Sequence, residues 1–339
     1  MQKTKTTINI KKIIFILLII PFNGISQKTK SSKPLQANDI SKWTKAVVNL
    51  ECQSNFFGSS LFVQWQRDDR ANPGIHKKDA VRVQDSLKRI RHSGTAIYFF
   101  HKNKYYLITA RHVLEDTSAY MQPEIYDLIF LRPNGSYLFD GKIVELDTNY
   151  ARYIRTTARQ KLNQVPFIFS IKEFDLAILS LSDIPVYGQQ FIYTLKNKGY
   201  VPITANDIDT LGVLSKKDDL LAIGFPSFSE VQHKKLSMEY LNWQSYAVTV
   251  PVITKGIVED PLNDSSSFFT GNIFIYHGFS GGPVIKNNQL LGVSRSYALD
   301  IYKSNGTSLN YYLFEKSVFT KTKFIMPMLR ALETRLSRN

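Results

Sequence analysis

An all-β architecture, a barrel or a sandwich closed by one C-terminal helix, is what this sequence predicts, and three observations predict it. Short apolar runs of strand length recur along the chain, each bounded by turn residues. Aromatic residues make up 13 % of the 339 residues, and β-branched residues are frequent beside them, a composition that favours sheet. One long segment at the end carries helical spacing instead: Phe324, Met328, Leu329, Leu332 and Leu336 recur at three- and four-residue steps. A hydrophobic content of 43 % is enough for a packed core and argues against disorder.

The first 26 residues have the layout of a secretory signal peptide. Lys3, Lys5, Lys11 and Lys12 form a positive n-region, Ile13 to Ile20 is an unbroken apolar run, and Pro21 and Gly24 break it. Gly24 and Ser26 are small residues at −3 and −1 to a candidate cut before Gln27. The run is too short to span a bilayer, which needs about 20 residues. The chain is therefore expected in the periplasm or outside the cell. Residues 27–43 are polar and expected to be mobile. A first set of strands is expected over 44–188. It opens with "KAVVNLEC", is interrupted by a mixed insertion at about 53–92, and resumes with "GTAIYFFHKNKYYLITARHV". That stretch reads as a hairpin around His101 to Lys104. "IYDLIFL", "GKIVELD", "VPFIFS" and "FDLAILSL" follow. A stretch richer in Pro, Gly and Asp gives a connection over 189–218. A second set over 219–318 contains "LLAIGF", "YAVTVPVITKGIVE", "NIFIY", "QLLGVSRSY" and "NYYLFE", and the helix takes 319–339.

The charge is +15, or +11 once the four signal lysines are removed from 43 basic residues against 28 acidic ones. Basic clusters at Lys88, Arg89 and Arg91 and at Arg152, Arg155 and Arg159 are compatible with an anionic envelope surface. No nucleic-acid module accompanies them, so nucleic acid is not an expected partner. The single cysteine, Cys52, cannot form an internal disulfide and lies in an apolar stretch. There is no metal-type cysteine cluster, and neither metal nor cofactor is expected.

The chemistry sits in "HGFSGGPVI", His277 to Ile285. Serine hydrolysis needs a base for the hydroxyl proton, an acid to hold the base, and donors facing the developing oxyanion. Gly278-Phe279-Ser280-Gly281-Gly282 fits the G-x-S-x-G elbow of α/β-hydrolases, but that fold places its histidine after the serine, and no histidine follows Ser280. Of the six histidines, His112 leaves a strand-like run, "LITARHV", beside small Ala110. Asp175 opens the apolar "FDLAILSL", where a partly buried carboxylate needs a hydrogen-bonding partner. Asp127 is a weaker rival, only 15 residues after His112.

The order His112, Asp175, Ser280, in these three motifs, resembles the trypsin/chymotrypsin-like serine protease family. "LITARHV" is similar to its histidine motif, "FDLAILSL" to its aspartate strand and "GFSGGPVI" to its G-[DN]-S-G-G-P loop. The resemblance implies two six-stranded antiparallel β-barrels with a cleft between them and a C-terminal helix. It implies His112 as general base, Asp175 as its orienting partner, Ser280 as nucleophile, and the amides of Gly278 and Ser280 as the oxyanion hole. It also places Phe274 at the base of the primary pocket, with Val293, Ser294 and Arg295 along its wall, and a polypeptide as substrate. Lacking a cysteine framework, the chain is similar to disulfide-free bacterial members, HtrA-like or glutamyl-endopeptidase-like, without a PDZ domain. Phe279 departs from the pattern: it stands where an activation terminus would find its aspartate, so terminus-triggered activation is not expected. A bulky residue there also motivates a second reading, a catalytically inactive protease-like binding protein of the envelope.

Overall fold

In the computed structural model the described residues are 37–53, 67–68, 70–73, 91–115, 128–132, 137–139, 142–144, 153–155, 165–210, 213–226, 251–263, 265–303 and 310–338. The signal-like segment, most of the insertion and Asp127 lie outside them, as do Lys88, Arg89, Arg152 and Arg159.

Helix α1 (Ala37–Ala46) leads into β1 (Val47–Gln53). The hairpin read from the sequence is β2 (Arg91–His101) and β3 (Lys104–Ala110). Its two-residue turn, Lys102-Asn103, has φ of 45° and 64°, the double positive φ that matches strand twist. One helical turn, α2 (Arg111–Leu114), follows. β4 (Leu128–Arg132), β5 (Tyr137–Phe139), β6 (Lys142–Val144), β7 (Tyr153–Arg155), β8 (Phe167–Phe169) and β9 (Leu176–Ser180) complete the first half. Their order β7-β4-β1-β2-β3-β9-β8 makes a seven-stranded antiparallel sheet, with β5 and β6 paired apart from it.

Helix α3 (Tyr187–Asn197) packs Phe191, Ile192 and Leu195 against the first half, and the chain then passes to the second half. There β10 (Asp219–Gly224), β11 (Val252–Asp260), β12 (Phe268–Asn272), β13 (Pro283–Lys286), β14 (Gln289–Lys303) and β15 (Asn310–Lys321) close a barrel in the order β10-β11-β12-β15-β14-β13. The expected pair of barrels is thus one closed six-stranded barrel and one seven-stranded sheet. β15 continues to Lys321, so the final helix α4 (Ile325–Ser337) begins six residues later than expected. Part of the expected mobile segment, residues 37–43, belongs to α1.

Strand alternation explains why central runs such as "FDLAILSL" are apolar throughout. Ala96 and Tyr98 on β2, Leu107 on β3 and Ala177 and Leu179 on β9 face one core, beneath the sheet. Their neighbours Ile97, Phe99, Tyr106, Ile108, Leu176 and Ile178 face a second core, the seam between sheet and barrel. Barrel residues Leu221, Ile223, Ile285, Leu290 and Val293 enter the same seam. The barrel interior is a third core, which includes Ala222, Phe269, Phe279 and Phe319.

Both flanking helices close on the seam. Trp43 of α1 is fully buried there, and its indole N–H donates to Asn288 Oδ1 at 2.7 Å. Asn288 Nδ2 in turn donates to Asp39 Oδ1 at 2.8 Å. Asn287-Asn288 is the β13–β14 turn, again with positive φ at both residues, 50° and 61°. From α4, Ile325, Leu329 and Leu332 are buried in the seam. Glu333 accepts hydrogen bonds from Tyr106 Oη and Lys102 Nζ, both at 3.1 Å, tying α4 to the β2–β3 hairpin. Burial and then the Glu333 carboxylate push the Tyr106 phenol far above its usual range, so it stays a donor.

Candidate active site

β3 ends at Ala110, and the turn of α2 carries His112 out of the strand, leaving its side chain 46 % exposed. β9 begins one residue after Asp175, whose side chain is only 10 % exposed. β3 and β9 are adjacent strands, with Ala110 opposite Leu176, so the two chain positions meet at the end of this strand pair. Three hydrogen bonds join them. Arg111 N donates to Asp175 O at 3.0 Å, His112 N donates to Asp175 Oδ1 at 3.0 Å, and His112 Nδ1 lies 2.8 Å from Asp175 Oδ2. A carboxylate only accepts, so this contact puts the ring proton on Nδ1 and leaves the lone pair on Nε2. Asp175 adopts φ of 49°, a left-handed conformation that a non-glycine residue keeps only when its surroundings hold it.

The surroundings do hold it. Asp175 N donates to Ile171 O at 3.3 Å, and Ser170 Oγ accepts from Leu176 N at 2.8 Å. Arg111, next to His112, chelates Glu115 (2.9 and 2.7 Å), donates to Ser170 O and lies over the Phe169 ring. From the barrel, Thr320 Oγ1 donates to Phe174 O at 2.7 Å and Arg295 Nη1 donates to Glu173 O at 2.8 Å. Arg295 Nε stands 3.8 Å from Asp175 Oδ2.

Ser280 lies in a loop of two overlapping turns. Phe279 N donates to Tyr276 O at 3.0 Å, and Gly282 N donates to Phe279 O at 2.8 Å. The third residue of each turn is a glycine with positive φ, Gly278 at 93° and Gly281 at 86°, while His277 and Ser280 keep negative φ. That is the sign pattern of type II turns, whose central peptide is turned over relative to type I. Gly281 is required for a second reason. A Cβ there would collide with Thr109 Oγ1 and Thr95 O and lie 2.8 Å from Ala110 N. This close approach brings Ser280 against the end of β3 that carries His112.

Accounting for the loop's backbone groups leaves two donors. Gly278 O, Phe279 N, Phe279 O, Ser280 O, Gly281 N, Gly282 N and Gly282 O are all hydrogen-bonded. Among the described residues, the N–H groups of Gly278 and Ser280 have no partner. The Ser280 hydroxyl donates to Arg295 O at 3.3 Å, and among the described residues it forms no hydrogen bond to His112.

The remaining expected residues fall differently. Phe279 points away from the site and is fully buried in the barrel interior, against Gly224. Val293 is buried in the seam, where its β14 position faces the sheet, and so gives no side chain to a pocket wall. Ser294 is fully buried; its backbone binds Gly281 N and Gly282 O, and its hydroxyl has no partner among the described residues. Phe274, expected at the pocket base, is 48 % exposed and packs edge-on to Tyr276 at 4.6 Å. Arg295 is turned to the Asp175 loop. Sequence reasoning missed Arg111 and Thr95. Thr95 only opens the apolar "AIYFF" run and Arg111 only precedes His112, and no local pattern marks either. Among the described residues, no group of three His, Cys, Asp or Glu side chains could hold a metal ion.

A histidine–aspartate pair at the ends of two adjacent strands, with a serine in a glycine turn on a β-barrel, is the layout of a trypsin-like peptidase. The sequence matches the family described as trypsin-like peptidase domain over residues 94–293, more than half of the chain, and the chain belongs to that family. Among solved structures, the serine endoprotease from Yersinia pestis is similar at 14 % identity and a TM-score of 0.43, covering 88 % of this chain and 67 % of that one. No curated protein matches the sequence.

Proposed function

We propose that this peptidase is an exported serine endopeptidase, with His112, Asp175 and Ser280 as its triad and the amides of Gly278 and Ser280 as its oxyanion hole. The observation that carries the reading is the pairing of His112 Nδ1 with Asp175 together with the two unpartnered N–H groups of the serine loop. His112 Nε2 takes the Ser280 proton as Oγ attacks the scissile carbonyl carbon. The carbonyl oxygen becomes an oxyanion that accepts from Gly278 N–H and Ser280 N–H. His112 then passes its proton to the leaving amine, the C–N bond breaks, and the acyl-enzyme is hydrolysed by a water that His112 deprotonates. Before attack the Ser280 hydroxyl must leave Arg295 O, a long bond at 3.3 Å, and rotate to Nε2.

Export rests on the n-region, apolar run and small-residue cut site of the first 26 residues. The basic excess of the remaining chain suits an anionic envelope surface. The second reading, a protease-like binding protein, draws on one observation, the Ser280 hydroxyl bonded to Arg295 O rather than to His112. A fluorophosphonate probe on purified residues 27–339, beside Ser280→Ala, separates the two. Labelling of the parent alone is expected, and a folded parent that stays unlabelled from about pH 6 to about pH 9 overturns the peptidase mechanism in favour of binding.

A further inference from the structure

Thr95 lies on β2, in the first half of the molecule, and is fully buried. Four hydrogen bonds converge on it. Its hydroxyl donates to Gly278 O at 2.7 Å and accepts from Phe225 N at 3.0 Å. Its N–H donates to Ser280 O at 2.8 Å, and its carbonyl accepts from Thr109 Oγ1 at 2.7 Å. Two of the four therefore cross the seam to the serine loop, and they reach the carbonyls of Gly278 and Ser280, the residues whose amides are unpartnered.

This fixes more than position. The Gly278 carbonyl belongs to the peptide that follows Gly278, and the Ser280 carbonyl to the peptide that follows Ser280. Holding both leaves Gly278 and Ser280 little freedom in ψ. Phe279 N, in the same peptide as Gly278 O, donates to Tyr276 O, and Phe279 O, in the peptide that carries the Ser280 N–H, accepts from Gly282 N. The two free N–H vectors are then determined from both sides. Phe279 anchors the same loop into the barrel core, so the loop is gripped from the barrel by packing and from the sheet by Thr95. No other side chain among the described residues bonds Gly278 O.

We propose that Thr95 is a positioning residue of the peptidase, its hydroxyl bridging Phe225 N and Gly278 O so that the Gly278 and Ser280 amides stay aimed at the reacting carbonyl. The proposal rests on the serine peptidase reading above. The hydroxyl is used as both donor and acceptor, so an isosteric Val, which removes both functions, leaves a buried carbonyl and a buried N–H without partners. A Ser keeps both.

The test compares the parent, Thr95→Val and Thr95→Ser as the chain from residue 27. It measures the fluorophosphonate labelling rate per folded molecule, kcat and KM on a cleaved peptide, and amide hydrogen exchange of the segment spanning 276–282. Thr95→Val is expected to lower labelling and kcat about 10- to 100-fold with KM little changed, since misaimed oxyanion donors act on the transition state. Thr95→Ser is expected to restore the rate to within about threefold, and exchange in 276–282 is expected to rise in Thr95→Val while β3 and β9 stay protected. Thr95→Val labelling at the parental rate, or a loss that Thr95→Ser shares, overturns the proposal. If Thr95→Val does not fold, Thr95→Ala takes its place with the same outcomes. If the folded parent itself fails to label, the peptidase reading falls separately. Exchange at 276–282 then decides Thr95: faster exchange in Thr95→Val supports its hold on the loop, and unchanged exchange overturns it.

Discussion

Phe279 stands next to Ser280 in the chain and faces the opposite way, into the barrel interior beside Phe269, Val284 and Phe319. Its ring also lies 5.6 Å from that of Tyr276, the residue whose carbonyl closes the turn. Apolar burial thus holds the serine loop at the position where a charged residue would need a partner terminus. Phe279→Ala is expected to cost about 3–5 kcal/mol, read as a lowered thermal midpoint or denaturant midpoint. Phe279→Leu, which keeps most of the volume, is expected to cost much less. Equal, small effects of the two would mean that the ring does not anchor the loop. At the other side of the site, Asp175→Asn places an amide where a carboxylate received the Nδ1 proton. The tautomer then inverts and Nε2 loses its lone pair. A kcat loss of about 10⁴ with little change in KM is expected in steady-state kinetics on a cleaved peptide, and a loss below tenfold would remove Asp175 from its orienting role.

At the scale of elements, α1 is held by side chains of the second half of the molecule and of the connection before it. Asp207 forms a capping box with Thr204 and an ion pair with Lys42 of α1. Burial pushes the Asp207 carboxyl up, but the Lys42 hydrogen bond, the Thr204 N–H, the Lys42 charge and the Thr204 hydroxyl outweigh it, and the carboxyl sits below the usual range. A carboxyl depressed in the folded state adds stability above its unfolded pKa of about 3.9 and loses it as pH falls through the folded value. Thermal midpoints of the parent and Asp207→Asn are therefore expected to differ at neutral pH and to converge as pH falls below about 4. A gap that persists unchanged in acid would show that the Asp207 charge is not what stabilises this contact. Helix α4 uses the same logic on the opposite flank, where Arg335 donates to Val165 O and Phe167 O beside β8. Burial lowers the Arg335 guanidinium from its usual value.

For the whole molecule, what could be read in the sequence was what depends on local pattern. Apolar runs bounded by turns located most strands of both halves, but "NIFIY" did not: β12 is Phe268–Asn272, and Ile273 to Tyr276 follow it outside any strand. The order of His112, Asp175 and Ser280 selected the family, because the serine elbow of the rival fold needs a histidine after the serine. Features that depend on which face a residue finds in three dimensions were not legible. Helix α1 buries chiefly Trp43 and Ala46, so its segment reads as polar until the seam exists to receive the indole. Helix α3 starts just after Pro185, in a stretch whose Pro and Gly content reads as a connection. The family resemblance implies Val293 as a pocket-wall residue, but its side chain enters the seam. Thr95 and Arg295 gain their meaning only from partners 130 or more and 120 or more residues away in sequence.

The seam has a consequence for modularity. Strands β2, β3 and β9 on one side and β10, β13 and β14 on the other present apolar side chains to one shared core, and α1 and α4 cap it from both flanks. A gene fragment encoding either half alone would express a sheet with an entire hydrophobic face uncovered, a surface that drives aggregation. The two halves share one core, so a cut between them is expected to leave neither half folded and soluble by itself, read as loss of soluble expression of each fragment.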